Sequence, residues 1–422
     1  MTNEKSAHTM TQEANPAAER TAKHPPAVLP VHMRRDGFDP TSELGEIRRS
    51  SGVELITLAF GTPAYLVTRH DDIKAVLADP KRFSSRRPPA SLTNGRAGAD
   101  PAEQARVLAG NMLFTDPPDH QRLRLMVAPE FTVRRMQRLA PRIAEIVDSH
   151  LDAMQDAGPP TDLVTAFALP IPSLVICELL GVPYDDRASF QDRASRLLDL
   201  STPLEERFAL HQQSHEYMTD LVARARREPG EDMIGMLVRA QGENVTDDEL
   251  IGIAGLLLPA GHETTANMLA LATLALLTHP DQLAAVRDDP GAATGAMEEL
   301  LRYLSIVNTV MPRVTTTEVE IAGVRIPAGH LVVLSLPSGN RDPDFIDNPD
   351  SLDIARGAVG HLAFGHGVHH CIGAPLARLE MRIAIPALLR RFPSLALVGS
   401  LRDVTFRSLY MVQSLAQLEV TW

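Results

Sequence analysis

The stretch that decides the fold is FGHGVHHCIGAPLARLE, residues Phe364–Glu380. Gly365, Gly367 and Gly373 surround one cysteine, Cys371. Glycines let a backbone turn tightly and approach a bulky group closely. Beyond the cysteine the pattern becomes helical, through Ala377 to Arg391. A helix starting there aims its unpaired N–H groups and positive end at the sulfur. That favours thiolate over thiol, and the thiolate is the metal-binding form. His369 lies two residues before the sulfur, within reach of an anionic group.

Three readings of this stretch compete on its residues alone. One is a buried structural cysteine in a glycine-rich turn. Another is a zinc site drawn from His361, His366, His369, His370 and Cys371, although the spacing departs from the usual zinc patterns. The third is a metal-bound thiolate of another kind.

Outward from this stretch, the whole chain of 422 residues narrows the choice. It carries 41 Lys+Arg against 53 Asp+Glu, a net charge of −12, with only 4% aromatic residues. A nucleic-acid partner needs a basic stripe with stacking aromatics, so none is expected. Cys177 and Cys371 are the only cysteines. They exclude a disulfide framework and a Cys-x-x-Cys zinc site, and fit a reduced, cytoplasmic compartment. No signal peptide and no run of 18 apolar residues is present, so no membrane anchor is expected.

Residues 1–28 are polar and Pro/Ala/Glu-rich, and read as a disordered leader. Residues 29–422 read as a single, mainly α domain with small β-sheets near both ends of the sequence. Residues 52–69 suggest a hairpin, turned at Gly61-Thr62-Pro63 and followed by a short helix. Residues 84–112 form a long irregular connection, which in a compact domain is usually functional or disordered. Helical spacing then dominates: 120–127, 131–155, 161–181, 185–198, 205–227 and 247–278. Strand texture returns at 317–336 and, by alternation, over 403–422.

Three further motifs stand in order along this frame. Asp116-Pro117-Pro118-Asp119-His120-x-Arg122-Leu123-Arg124 opens a helix with His120 and Arg124 four residues apart on one face. Ala260-Gly261-His262-Glu263-Thr264-Thr265 lies mid-way along a helix about 45 Å long at 1.5 Å per residue. Gly261 there costs about 1 kcal/mol against Ala, so it needs a reason. Glu299-x-x-Arg302 are neighbours on a helix, worth under ~1 kcal/mol if exposed.

Phe364-Gly365-x-Gly367-x-His369-x-Cys371-x-Gly373 resembles the haem-ligand signature of the cytochrome P450 family. The other motifs match the family in order, from about residue 30 to the end. The resemblance implies the cytochrome P450 fold and a b-type haem (iron protoporphyrin IX) with Cys371 as its proximal thiolate. It places Phe364, Gly365 and Gly373 against that group, and Ala260 and Gly261 at the oxygen-binding groove. It assigns Thr264 to the bound oxygen and Glu263 to proton delivery, and puts His120, Arg124, Arg313 and His369 on the haem propionates. It makes Glu299, Arg302 and Arg356 a buried structural triad. Pro259 departs from the family, which usually has an aliphatic residue there. Proline removes the bond to the Gly255 carbonyl, so a more bent or wider groove is expected.

The resemblance also implies the activity, a haem-thiolate monooxygenase using O2. The segments around His262–Leu271 and Phe364–Glu380 look most like actinomycete members that hydroxylate polyketides, macrolides, terpenoids or foreign compounds. Substrate contacts fall on Leu256, Ala260, Val307, Val310, Met311, Tyr410 and Met411, a mostly apolar set that suits a hydrophobic small molecule. Arg86 and Arg87 are candidates for a substrate acid group. With no flavin or iron–sulfur motif in the chain, electrons are expected from outside it, and the resemblance implies a ferredoxin and its reductase as their source. Arg134, Arg135, Arg138 and Arg142 form a basic cluster suited to an acidic ferredoxin. Two alternatives remain at this stage. One is a haem-thiolate enzyme doing epoxidation, isomerisation, ring coupling or peroxide-driven oxidation. The other is a non-enzymatic haem or zinc protein.

Overall fold

The long helix Asp247–Leu277 organises the molecule. Thr246 caps it in a reciprocal box with Glu249, each side chain bonding the other's backbone N–H. Its second half, Leu269 to Leu276, is buried on every side. A helix apolar all round belongs at the centre of a large protein. It packs against Pro170–Leu180, Leu204–Arg227 and Ala374–Arg391. The largest apolar cluster surrounds it. The computed structural model describes residues 29–58, 61–86, 105–106 and 108–422. The leader at 1–28, Arg87 and most of the 84–112 connection lie outside the described residues.

The hairpin forms as expected, with Val53–Thr57 antiparallel to Pro63–Val67. Leu331–Leu334 adds to it in parallel, and Arg313–Thr315 and Phe83–Ser84 complete a five-stranded sheet. A smaller sheet joins Ala396–Leu397, Glu419–Thr421 and Thr161–Asp162. Apart from 161–181, the expected helices appear within a few residues of their predicted ends. The helix Met233–Gln241 was not singled out by the sequence.

Two expectations change. The segment 161–181 begins as strand, passes through a π-turn at Val164–Ala168 and becomes α-helical at Pro170. Pro170 has no N–H to donate, so the i→i+5 bond from Leu169 N–H to the Val164 carbonyl closes the preceding turn. The segment 403–422 is strand only at Glu419–Thr421. Before that it pairs one residue at a time: Phe406 with Leu415, Tyr410 with Asp199, Val412 with Val307. Its alternation marks contacts to several elements rather than one long neighbour. Among the described residues, no single helix is long and apolar enough to cross a membrane.

Candidate active site

The cysteine loop is built from backbone bonds. Asn340 Oδ1 accepts from Leu362 N–H at 2.6 Å, and Gly365 N–H donates to the Leu362 carbonyl at 2.8 Å. Cys371 N–H donates to the Phe364 carbonyl at 2.9 Å and closes the loop. Gly365 and Gly367 have φ of 68° and 69°, in the left-handed region that side chains resist. A Cβ on Gly367 would also fall 2.2 Å from the Leu77 carbonyl oxygen. The helix Ala374–Arg391 then starts as expected, with the Gly373 and Ala374 N–H groups directed at the sulfur.

Cys371 keeps part of its surface exposed. Burial pushes its thiol up, and the Gly373 N–H, Arg124, the Ala374 N–H and Arg378 oppose that. The zinc reading fails on direction: His361 pairs with Glu298, and His369 contacts Ser85 Oγ. Among the described residues, no group of three or more His, Cys, Asp or Glu could hold a metal ion.

Phe364 is sandwiched in an unforeseen cluster. The Arg378 guanidinium lies 4.5 Å from its ring centre. Arg378 is held by Glu298 through bonds of 2.6 and 2.8 Å, and His361 Nε2 contacts the same carboxylate at 3.1 Å. Arg378 lies one turn into the helix after the cysteine loop.

The anion-facing set comes together as expected. The His120 and His369 ring centres are 4.1 Å apart. Burial, then Arg313, His120 and Arg124, push His369 down to about 3. Burial, then Arg124, also lowers His120, while Asp116 opposes. Arg313 is buried and donates to the Met311 carbonyl at 2.7 Å; burial lowers it to about 10, against Asp116. Arg124 makes no hydrogen bond or ion pair among the described residues. The nearby carboxylate, Asp116, already accepts from Ser84 Oγ and Ser85 N–H. Leu77, Val310, Met311, Arg313, Gly365 and His369 line a small cleft there. Clustered cationic groups that depress one another are satisfied by carboxylates, so this donor set fits haem propionates.

Along the long helix, Leu256, Pro259, Ala260 and Thr264 keep open surface, as do Gly252, Gly255 and Gly261, while Ile253, Ala254, Leu257, Leu258, His262 and Glu263 are buried. Leu256, Ala260 and Thr264, four residues apart, fall on one face of the helix. Thr264 Oγ1 donates to the Ala260 carbonyl at 2.7 Å. The helix continues unbroken through Pro259. Gly261 has a packing reason: a Cβ there would lie 2.9 Å from Ile176 Cδ1 on the neighbouring helix. Val310 and Met311 line the cleft, Val307 pairs with Val412, and Met411 is exposed. Tyr410 is buried, and its hydroxyl donates to Glu263 Oε2 at 3.1 Å. Residues 147 positions apart gave no sequence signal for that contact. Burial raises the Glu263 carboxyl, against Tyr410, Arg407 and Asn267.

The triad is complete. Arg302 is fully buried and donates twice to Glu299, at 2.8 Å each. Its other bonds reach the Asn340, Pro349 and Ser351 carbonyls. Arg356 Nη1 reaches Glu299 Oε1 at 2.8 Å. Elsewhere, Arg86 is bound to Asp119 at 2.6 Å. Within the basic cluster, Arg135 pairs with Glu130 and Arg142 with Glu178 and Glu145. Arg134 and Arg138 are left exposed.

Comparison with known proteins agrees with this geometry. The family model "Cytochrome P450" matches residues 54–418. Cytochrome P450 FAS1 of Rhodococcoides fascians is 50% identical over 396 residues, 94% of this chain and 99% of that protein. Vitamin D3 dihydroxylase of Streptomyces griseolus is 42% identical over 87% of this chain and 90% of that protein. Among solved structures, CYP105P1 in complex with filipin I superposes with a TM-score of 0.86 at 40% identity, covering 94% of this chain and 98% of that one.

Proposed function

The chain belongs to the cytochrome P450 family and is a monooxygenase of it, and from that premise we propose that it hydroxylates a hydrophobic small molecule. The family uses haem, O2, small-molecule substrates and external redox partners. For this chain the reading is a b-type haem held by Cys371, in a single domain spanning 29–422, with electrons from a ferredoxin and its reductase in the cytoplasm. The observation that carries it is the glycine-closed Cys371 loop beside the His120, Arg124, Arg313 and His369 set. When bound, haem supplies oxygen activation, and a thiolate ligand pushes electron density toward O–O cleavage.

The chain's own residues then have separable tasks. The Gly373 and Ala374 N–H groups and Arg378 stabilise negative charge on the Cys371 sulfur. Arg124, Arg313, His120 and His369 hold the propionates. Thr264 has committed its proton to the Ala260 carbonyl, so its lone pairs accept a hydrogen bond at the groove. Glu263, held protonated more readily by burial, is the general acid that supplies protons there. Leu256, Ala260, Val307, Val310 and Met311 shape an apolar pocket. Hydroxylation is favoured over the other haem-thiolate reactions by the Glu263–Thr264 pair. Exposed Arg134 and Arg138 steer an acidic ferredoxin. Reversing both charges is expected to slow ferredoxin-dependent reduction and flatten its salt dependence; unchanged reduction overturns that part.

The test of the reading is the ferrous–CO difference spectrum of the purified protein. A strongly red-shifted Soret band is expected. A band at the position for imidazole- or thiol-ligated haem overturns Cys371 as thiolate ligand.

A further inference from the structure

Glu263 is 2% exposed and sits at the inner end of a chain of hydrogen bonds that no motif announces. Tyr410 Oη, itself 3% exposed, donates to Glu263 Oε2 at 3.1 Å. With that proton committed, Ser195 Oγ is the donor in its 3.2 Å contact with Tyr410 Oη. Arg407 Nη1 donates to Ser195 Oγ at 3.3 Å, and its guanidinium also lies 5.0 Å from the centre of the Tyr410 ring. Ser195 and Arg407 are half-buried, so the chain runs from the interior to the surface. Its members come from the long helix, from Arg187–Leu198 and from the C-terminal segment. The last two are stitched by backbone bonds: Leu200 N–H to the Leu409 carbonyl at 2.8 Å and Met411 N–H to the Leu198 carbonyl at 3.1 Å.

The other carboxyl oxygen behaves differently. Glu263 Oε1 is buried with no hydrogen-bond partner, and His262 Nδ1, the nearest ring nitrogen, is 3.9 Å away. Burial holds His262 neutral, down at about 4. Asn267 Nδ2 donates mainly to the Glu263 backbone carbonyl, at 2.7 Å. One carboxyl oxygen is therefore fixed by Tyr410 and the other is free to carry a proton.

We propose that Tyr410 is the positioning residue for Glu263, and that Tyr410 and Ser195, anchored by Arg407, form the path by which this carboxyl regains its proton from solvent. The proposal rests on the reading of Glu263 as the proton donor of a P450 site. When Glu263 gives up a proton from Oε1, Tyr410 Oη–H passes to Oε2. Ser195 Oγ–H passes to Tyr410 Oη, and a solvent proton replaces it on Ser195. One proton moves inward and no electron moves; rotation of the carboxyl and of the two hydroxyls then returns the proton to the free oxygen and the chain to its starting direction. Arg407 keeps its own protons; it orients Ser195 and favours the carboxylate through its charge. Burial and the charge of Glu263 hold the Tyr410 phenol well above its ordinary value, so the hops are concerted and no free phenolate forms. The groups acting on Glu263 are thus Tyr410, Arg407 and Asn267, with neutral His262 alongside.

The test uses the haem-loaded enzyme and infrared difference spectra recorded against pH. The protonated-carboxyl band of Glu263 is assigned by its loss in Glu263→Gln. Tyr410→Phe and Arg407→Gln each remove a group that favours the carboxylate, so the Glu263 midpoint is expected to move to higher pH in both. Ser195→Ala leaves the Tyr410–Glu263 bond and the midpoint in place. It is expected to enlarge the solvent isotope effect on NADPH consumption with ferredoxin and reductase, because proton supply then limits the rate. An unmoved midpoint in Arg407→Gln overturns the proposal, as does an unchanged isotope effect in Ser195→Ala. Arg407 is half-exposed, so that variant keeps the test alive if Tyr410→Phe does not fold. The ferrous–CO band is recorded on every sample. Loss of the thiolate band in the wild type sinks the P450 site reading, whereas a normal band with an unmoved midpoint sinks only the relay.

Discussion

Glu299→Gln isolates the buried triad, because it removes one charge and almost no volume. Glu299 Oε1 accepts from Arg302 Nη2, Arg356 Nη1 and Asp353 N–H, and Oε2 accepts from Arg302 Nε. Every one of those donors faces a carboxylate oxygen, so an amide placed either way turns an N–H toward a donor. Arg302 is 0% exposed and would be left with no counter-charge. Breaking a buried pair by removing one partner costs about 3–5 kcal/mol. At about 2.1 cal/mol/K of unfolding entropy per residue, 422 residues carry roughly 0.9 kcal/mol/K, so the loss corresponds to a Tm about 3–6 °C lower. The half-exposed Arg142–Glu178 pair is the control, since Glu178→Gln should cost under ~1 kcal/mol and about 1 °C. Far-UV circular dichroism melts of the haem-loaded proteins at one scan rate measure both. The damage should also reach the cysteine loop, because Arg302 bonds the Asn340 carbonyl and the Asn340 side chain holds Leu362. Haem should therefore leave Glu299→Gln faster on heating. A Tm loss no larger than that of Glu178→Gln refutes the argument that the triad's burial gives it its weight.

Burial alone would raise the Glu298 carboxyl, but the bonds from His361 and Arg378 outweigh it and hold it at about 2, below its ordinary 4.5. A depressed carboxyl contributes stability above pH 4.5 that is lost as pH falls toward 2. Glu298→Gln should therefore flatten that part of the stability–pH curve, read by urea unfolding at several pH values. Arg124→Gln removes a cation with no other partner among the described residues, and a charge-assisted bond of about 1.5 kcal/mol predicts roughly tenfold faster haem transfer to apomyoglobin. Arg122→Gln, whose side chain pairs with Glu249 instead, should leave that rate unchanged. Gly261→Ala gains about 1 kcal/mol of helix propensity but forces a Cβ onto Ile176, at a cost of about 1–3 kcal/mol. Ile176→Val should relieve the clash, and a double-mutant cycle in urea should show the coupling; zero coupling refutes the packing explanation for that glycine.

The sequence by itself determined the parts that depend on local chain geometry. The glycines around Cys371, the helix after it, the His120/Arg124 spacing and the Glu299/Arg302 spacing are all set within one turn or one loop, where dihedral limits and the 3.6-residue period act directly. The hairpin and the central helix were legible for the same reason. Tertiary structure decided everything that needed two distant segments to meet. The Tyr410 contact with Glu263, the Ser195–Arg407 link and the anchoring of Leu362 by Asn340 join residues with no periodic relation. The packing of Ile176 against Gly261 likewise gave a glycine its reason only once two helices crossed. The C-terminal alternation misled because a period of two records which residues are buried, not whether one strand or several neighbours bury them. Pairing in the basic cluster was equally hidden, since Glu130 and Glu178 reach Arg135 and Arg142 across turns of chain that spacing does not measure.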